Sequence, residues 1–86
     1  MTGICIRLSM CGPLSDAAKE IEQKYDHAPS VKEIKERLAE ELQEKGEQYK
    51  EIVAVSALGD DERVYYDAEI IENDTSLSVL PPVSGG

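Results

Sequence analysis

The sequence predicts a two-layer α+β domain, a mixed sheet of four or five strands covered on one face by one main helix. Three observations carry that prediction. Residues 3–10 (GICIRLSM) alternate apolar and polar, and residues 76–80 (SLSVL) repeat that alternation at the far end of the chain. Between them lies a long segment whose apolar residues recur at helical spacing. One amphipathic helix buries its stripe by lying across one face of a sheet, and the sheet buries that face in return.

The first strand places Ile4, Ile6, Leu8 and Met10 on one face and Cys5, Arg7 and Ser9 on the other, the period of two expected of a half-buried strand. Gly12-Pro13 breaks it. Two patterns fit residues 14–28. Ser15 or Asp16 suits the cap of a short helix through Ala17, Ala18 and Ile21, whereas Ile21, Gln23 and Tyr25 share one face of a strand. We read a helical turn near 14–19 and then a strand near 20–26. His27 is the one histidine of the chain. With no nucleophile or metal-ligand set near it in sequence, it reads as an exposed loop residue.

Ser30 and Glu33 form a capping-box pattern after Pro29. Val31, Ile34, Leu38 and Leu42 then make one apolar stripe. Glu33/Arg37, Lys32/Glu36 and Glu41/Lys45 are spaced as i,i+4 pairs on the rest of the surface. Gly46 is placed to end this helix, so it spans 31–45. The run Ile52-Val53-Ala54-Val55-Ser56 reads as a third strand, Gly59-Asp60-Asp61 as a turn, and Val64-Tyr65-Tyr66 as a short return strand. Asn73-Asp74 makes a further turn before the last strand. There Leu77 and Val79 point to the core, while Ser76, Ser78 and Leu80 take the opposite face. If the first and last strands pair in parallel beneath the helix, the arrangement is a β-grasp.

Composition narrows the function. The 86 residues suit one domain, with 18 acidic against 9 basic residues and a formal net charge of −9. Nucleic-acid binding calls for a basic face, and anionic membranes repel such a surface. A basic protein partner is the natural complement. There is no long apolar run and no signal-peptide pattern at the start, so a cytoplasmic location is expected. Cys5 and Cys11 fit no metal spacing and read as reduced thiols. No base–nucleophile–orienter set is visible, so no activity is expected from this chain alone.

The end of the sequence is the candidate functional element. Pro81 and Pro82 fix φ and remove two backbone donors, so the sheet stops and the chain leaves extended. Val83 and Ser84 follow, then Gly85 and Gly86, thin enough for a narrow channel in another protein. Read as the terminus, the Gly86 carboxylate is the reactive group of the tail. Leu80 with Pro81, Pro82 and Val83 makes an apolar strip at its root. We therefore divide the chain into a β-grasp domain over 1–80 and a flexible tail over 81–86.

The segment Leu77-Ser78-Val79-Leu80-Pro81-Pro82-Val83-Ser84-Gly85-Gly86 resembles the characteristic end of the MoaD/ThiS family of ubiquitin-like sulfur carriers. Within that group it is most similar to the small subunits of molybdopterin synthase. Pro29-Ser30-Val31 resembles the family's helix start, and Ile52-Val53-Ala54-Val55 its third strand, where Ser56 stands in place of a frequent Asn. Glu72-Asn73-Asp74 replaces a common Asp-Gly-Asp, and the segment 57–66 is longer than the pattern.

The resemblance implies that Gly86 is adenylated and converted to a thiocarboxylate, Gly85 and Gly86 threading a tunnel too tight for a Cβ. Leu80, Pro81, Pro82, Val83 and Ser84 would contact partners. It implies three of those: the large subunit of molybdopterin synthase, a ubiquitin-activating-type adenylating enzyme and a sulfur-donor protein. No cofactor is bound directly; ATP is used by the activating enzyme. Alternatives are a modifier joined to lysines through Gly86, or a sulfur carrier for thiamine synthesis or tRNA thiolation. From a different class comes a non-reactive β-grasp binding module.

Overall fold

The computed structural model describes residues 3–82. Strand β1 (Ile4–Met10) leads through a 3-10 turn at Gly12–Asp16 to β2 (Glu20–Tyr25), then to helices α1 (Val31–Gln43) and α2 (Glu47–Ala54). Strands β3 (Ala57–Gly59), β4 (Val64–Tyr65) and β5 (Thr75–Leu80) follow among the described residues. The five strands form one sheet in the order β2-β1-β5-β3-β4. β1 and β5 pair in parallel at its centre, with Leu8 opposite Leu77 and Met10 opposite Val79. β2 runs antiparallel to β1, and β3 antiparallel to both β5 and β4.

Alternation sets the two faces of this sheet. Ile6, Leu8, Met10, Tyr25, Leu58, Leu77 and Val79 turn inward and pack with Val31, Ile34, Leu38 and Leu42 of α1. Ser30 caps α1, its Oγ accepting from the Glu33 N–H at 3.1 Å. The capping box is only half formed. Glu33's carboxylate turns to His27, and Arg37 turns from its helical neighbours to donate to the Lys24 carbonyl.

The predicted strand over 52–56 is a correction. Residues up to Ala54 belong to α2, and the third strand starts at Ala57. The β-branched run favours a strand locally, but Tyr49, Ile52 and Val53 lie at helical spacing and pack on the core, so tertiary packing overrides a weak local preference. Gly46 separates the two helices, as its position predicts for the end of the first. Ser56 closes the second, its buried hydroxyl donating to the Ile52 carbonyl at 2.6 Å.

Gly59 has a packing role that the turn pattern did not reveal. A Cβ there would lie 2.9 Å from the Arg63 carbonyl oxygen and 3.3 Å from Val64 Cα, both backbone atoms of the β3–β4 hairpin. Gly59→Ala is expected to lower stability by about 1–3 kcal/mol, the usual penalty for overfilling a packed site, read as a lower denaturation midpoint in urea.

Candidate functional site

The site is built where β5 leaves the sheet. Because β5 is an interior strand parallel to β1, its last residues emerge beside the end of β1 and the turn that follows. Gly12, at φ 59°, stands at that exit, and a Cβ on it would meet Pro81 Cγ at 3.6 Å. Pro81 is half-buried there and Pro82 is exposed. Val83, Ser84, Gly85 and Gly86 lie outside the described residues.

Leu80 follows from parity. It sits on the face away from α1, opposite Ala57, and is 37% exposed. Its Cδ1 comes within 3.4 Å of the position a Gly59 Cβ would take, and Val64, the cross-strand partner of Gly59, is 51% exposed. The missing side chain at Gly59 thus brings Leu80 and Val64 together as an apolar shoulder at the root of Pro81-Pro82. Sequence reading named Leu80 but not Val64. The signal was parity across the hairpin, hidden by a third strand placed several residues too early.

An ordered hairpin holds this shoulder. Asp60 Oδ1 accepts from the N–H groups of Glu62 and Arg63 at 2.8 and 3.0 Å, and Oδ2 accepts from the Tyr65 hydroxyl at 2.6 Å. The Tyr65 hydroxyl and then these amides hold the Asp60 carboxyl below its ordinary range, and the same bond raises Tyr65. Arg63 lies 4.0 Å from the centre of the Tyr65 ring and donates to Glu69 at 2.7 Å. Together these contacts fix the turn that presents Val64.

On the other side of the molecule, His27 is exposed, as expected of a loop residue, yet both ring nitrogens have carboxylate partners, one from the adjacent residue and one from the first turn of α1. Nδ1 is 2.9 Å from Asp26 Oδ1 and Nε2 is 2.8 Å from Glu33 Oε2. Two ionised carboxylates accept only, so both ring nitrogens donate and the imidazolium is the form that fits. Hydrogen bonding to Asp26, then to Glu33, raises His27 above the ordinary histidine value.

The resulting stability is fully present below the unfolded-state pKa of about 6.5 and is lost as pH rises through the higher folded value. Melting temperature is therefore expected to fall across that window. His27→Gln should flatten the slope, and an NMR titration of the ring protons should give a midpoint above that of free histidine.

Among the described residues, no group of three or more His, Cys, Asp or Glu is arranged to hold a metal ion. No helix among them is long and apolar enough to cross a membrane.

The topology and the position of the exit strand are those of the ubiquitin-like β-grasp fold. Among solved structures, SAMP1 from Haloferax volcanii superposes with TM-score 0.67 at 16% identity, over 95% of this chain and 99% of that one. A protein from Pyrococcus furiosus, provisionally described as molybdopterin converting factor, subunit 1, gives TM-score 0.65 at 19% identity, over 93% and 99%. The UBL domain of Plasmodium falciparum Dsk2 gives 0.65 at 14%, over 94% and 100%. At these identities the likeness is one of fold. No family model and no curated protein sequence matches the chain.

Proposed function

We propose that this chain is a ubiquitin-like sulfur carrier whose Gly86 carboxyl, as the terminus or made so by trimming, is the reacting group. The observation that carries the reading is a pairing of fold and sequence. An interior strand delivers Leu80, Pro81 and Pro82 to an open surface beside Gly12, and the sequence continues with Val-Ser-Gly-Gly. The molybdopterin branch is supported by the segment Leu77 to Gly86, which resembles the end of molybdopterin synthase small subunits.

The chemistry needs an activated acyl group. A carboxylate is a poor electrophile, because its charge is delocalised and oxide leaves badly. An adenylating enzyme of the ubiquitin-activating type joins the Gly86 carboxylate to the α-phosphate of ATP and releases pyrophosphate. Attack by a donor's persulfide sulfur expels AMP and gives an acyl disulfide; a second thiol then attacks the donor's sulfur, which leaves a disulfide on the donor and the thiocarboxylate on the carrier. A synthase large subunit then takes the tail, and the sulfur passes to a pterin precursor whose dithiolene binds molybdenum or tungsten. Catalytic side chains belong to the partners. This chain supplies the tethered acyl group, the Leu80–Val64 shoulder for docking, and two prolines that limit the freedom lost on binding. The reactions take place in the cytoplasm.

ATP–pyrophosphate exchange by a cognate adenylating enzyme tests the first step. Exchange that depends on this protein and on Gly86 supports the reading; its absence with a competent enzyme removes it. The same acyl-adenylate also suits a lysine modifier, which would leave Gly-Gly remnants on cellular lysines in a proteolytic digest.

A further inference from the structure

We propose that the open edge of β2, with the groove between it and α1, binds an extended basic peptide that adds to the sheet as a sixth strand. β2 is an edge strand, and its hydrogen-bond phase is fixed by three contacts. Met10 N–H donates to the Lys19 carbonyl, Cys5 N–H turns away from β2 to Asp74, and the Lys24 carbonyl turns away from β1 to Arg37. Antiparallel pairs alternate between bonded and non-bonded. The pairs Cys5–Lys24, Arg7–Glu22 and Ser9–Glu20 are therefore the non-bonded ones. Their β2 members direct the N–H groups of Glu20, Glu22 and Lys24, and the carbonyls of Glu20 and Glu22, to the open side.

Next to this edge lies a groove of about 1010 Å³ whose walls include Tyr25, His27, Glu33, Glu36, Arg37 and Glu40. Two of its cations are engaged within the groove, and the third, Lys24, points largely to solvent with its Nζ 4.0 Å from Glu22. Arg37 bonds the Lys24 carbonyl and lies 4.9 Å from the centre of the Tyr25 ring, while His27 is held between Asp26 and Glu33. Glu36 and Glu40 are exposed, stand one helical turn apart, and have no ion-pair partner among the described residues. Like charges at that spacing oppose each other, so a cation laid between them relieves a repulsion already present.

Geometry and charge together select the occupant. Residues of an added strand opposite Ile21 and Gln23 share their face, which is the face that α1 covers. Lysine or arginine at alternate positions therefore reaches Glu36 and Glu40, while the intervening backbone pairs with Glu22. This is strand addition, in which main-chain bonds supply affinity and alternate side chains supply selectivity. A second copy fits poorly, because it also carries a net charge of −9 and its β2 would present Ile21 and Gln23, not cations, toward Glu36 and Glu40.

The test is an NMR titration of the ¹⁵N-labelled full-length protein with an acetylated, amidated alternating Val/Lys heptapeptide, its Val/Glu counterpart serving as control. Saturable amide shifts on β2 and along Glu36–Glu40, weakening with salt and absent with the Glu peptide, are expected. Slowed hydrogen exchange at Glu22 and Lys24 should accompany them. Glu22→Pro removes an outward N–H while proline remains tolerated at such an edge; it should weaken binding at least about tenfold, as should Glu36→Lys with Glu40→Lys.

Binding indifferent to Glu22→Pro, with no exchange protection in the wild-type protein, would reduce the effect to charge attraction and overturn the proposal. So would shifts confined to other surfaces, no saturation at millimolar peptide, or a dimer formed through β2 without peptide.

Discussion

Deleting Gly86, or adding one residue after it, is expected to abolish pyrophosphate exchange and thiocarboxylate formation while leaving the melting curve unchanged. Either change moves the carboxylate by about one residue length, roughly 3.5 Å. Displacements of about 1 Å at a reacting centre already cost on the order of a hundredfold in rate, so the loss should be near complete. The fold is expected to be indifferent because the core cluster among the described residues runs from Ile6 to Val79. A passive binding module predicts the reverse pattern, retained binding with either variant. The pair of measurements, exchange and melting, separates a reactive end from an inert one.

The second large effect is structural. Leu8→Ala is expected to lower stability by about 2–5 kcal/mol, the range for truncating a fully buried leucine. Leu8 lies on the central strand with Ile21 on one side and Leu77 on the other, and it has no exposed surface. Rigid neighbours on two strands leave little room for collapse into the void. A domain of this size has only about 5–10 kcal/mol in reserve, and each kcal/mol corresponds to roughly 4–8 °C. Melting should therefore fall by something like 10–30 °C, measurable by circular dichroism. Leu80→Ala, on the outer face and already 37% exposed, should lower it far less.

The contrast between those two leucines was legible in the sequence, because both obey a period of two in strands regular enough to show it. The main helix was legible for a similar reason: Val31, Ile34, Leu38 and Leu42 are all buried, as their spacing predicts. The short turn followed by a strand over 14–26 also emerged, although two patterns competed there.

What escaped has identifiable physical causes. Ile52-Val53-Ala54-Val55 carries strand-forming residues, yet Gly46 lets the chain start a second helix at once, and the core takes Val53 from a helical face. That displaced the third strand and with it Val64, half of the apolar shoulder. Gln23 was placed on the inner face by its parity with Tyr25, but its satisfaction there depends on distant groups. It accepts from the Tyr25 hydroxyl and donates to Glu41 at 2.7 Å, with no exposed surface of its own. The links from His27 to Glu33 and from Arg37 to the edge of β2 join segments whose proximity exists only after folding. So does the groove they border.

The proposed sulfur transfer takes place at one carbonyl carbon, and intact-mass spectrometry addresses it most directly. Protein recovered from cells that also produce its adenylating enzyme and sulfur donor should carry a species about 16 Da heavier, the difference when one acyl oxygen becomes sulfur, with the added mass confined to the C-terminal peptide. An unchanged mass in the presence of partners shown to be active, or an added mass that survives removal of Gly86, would contradict it.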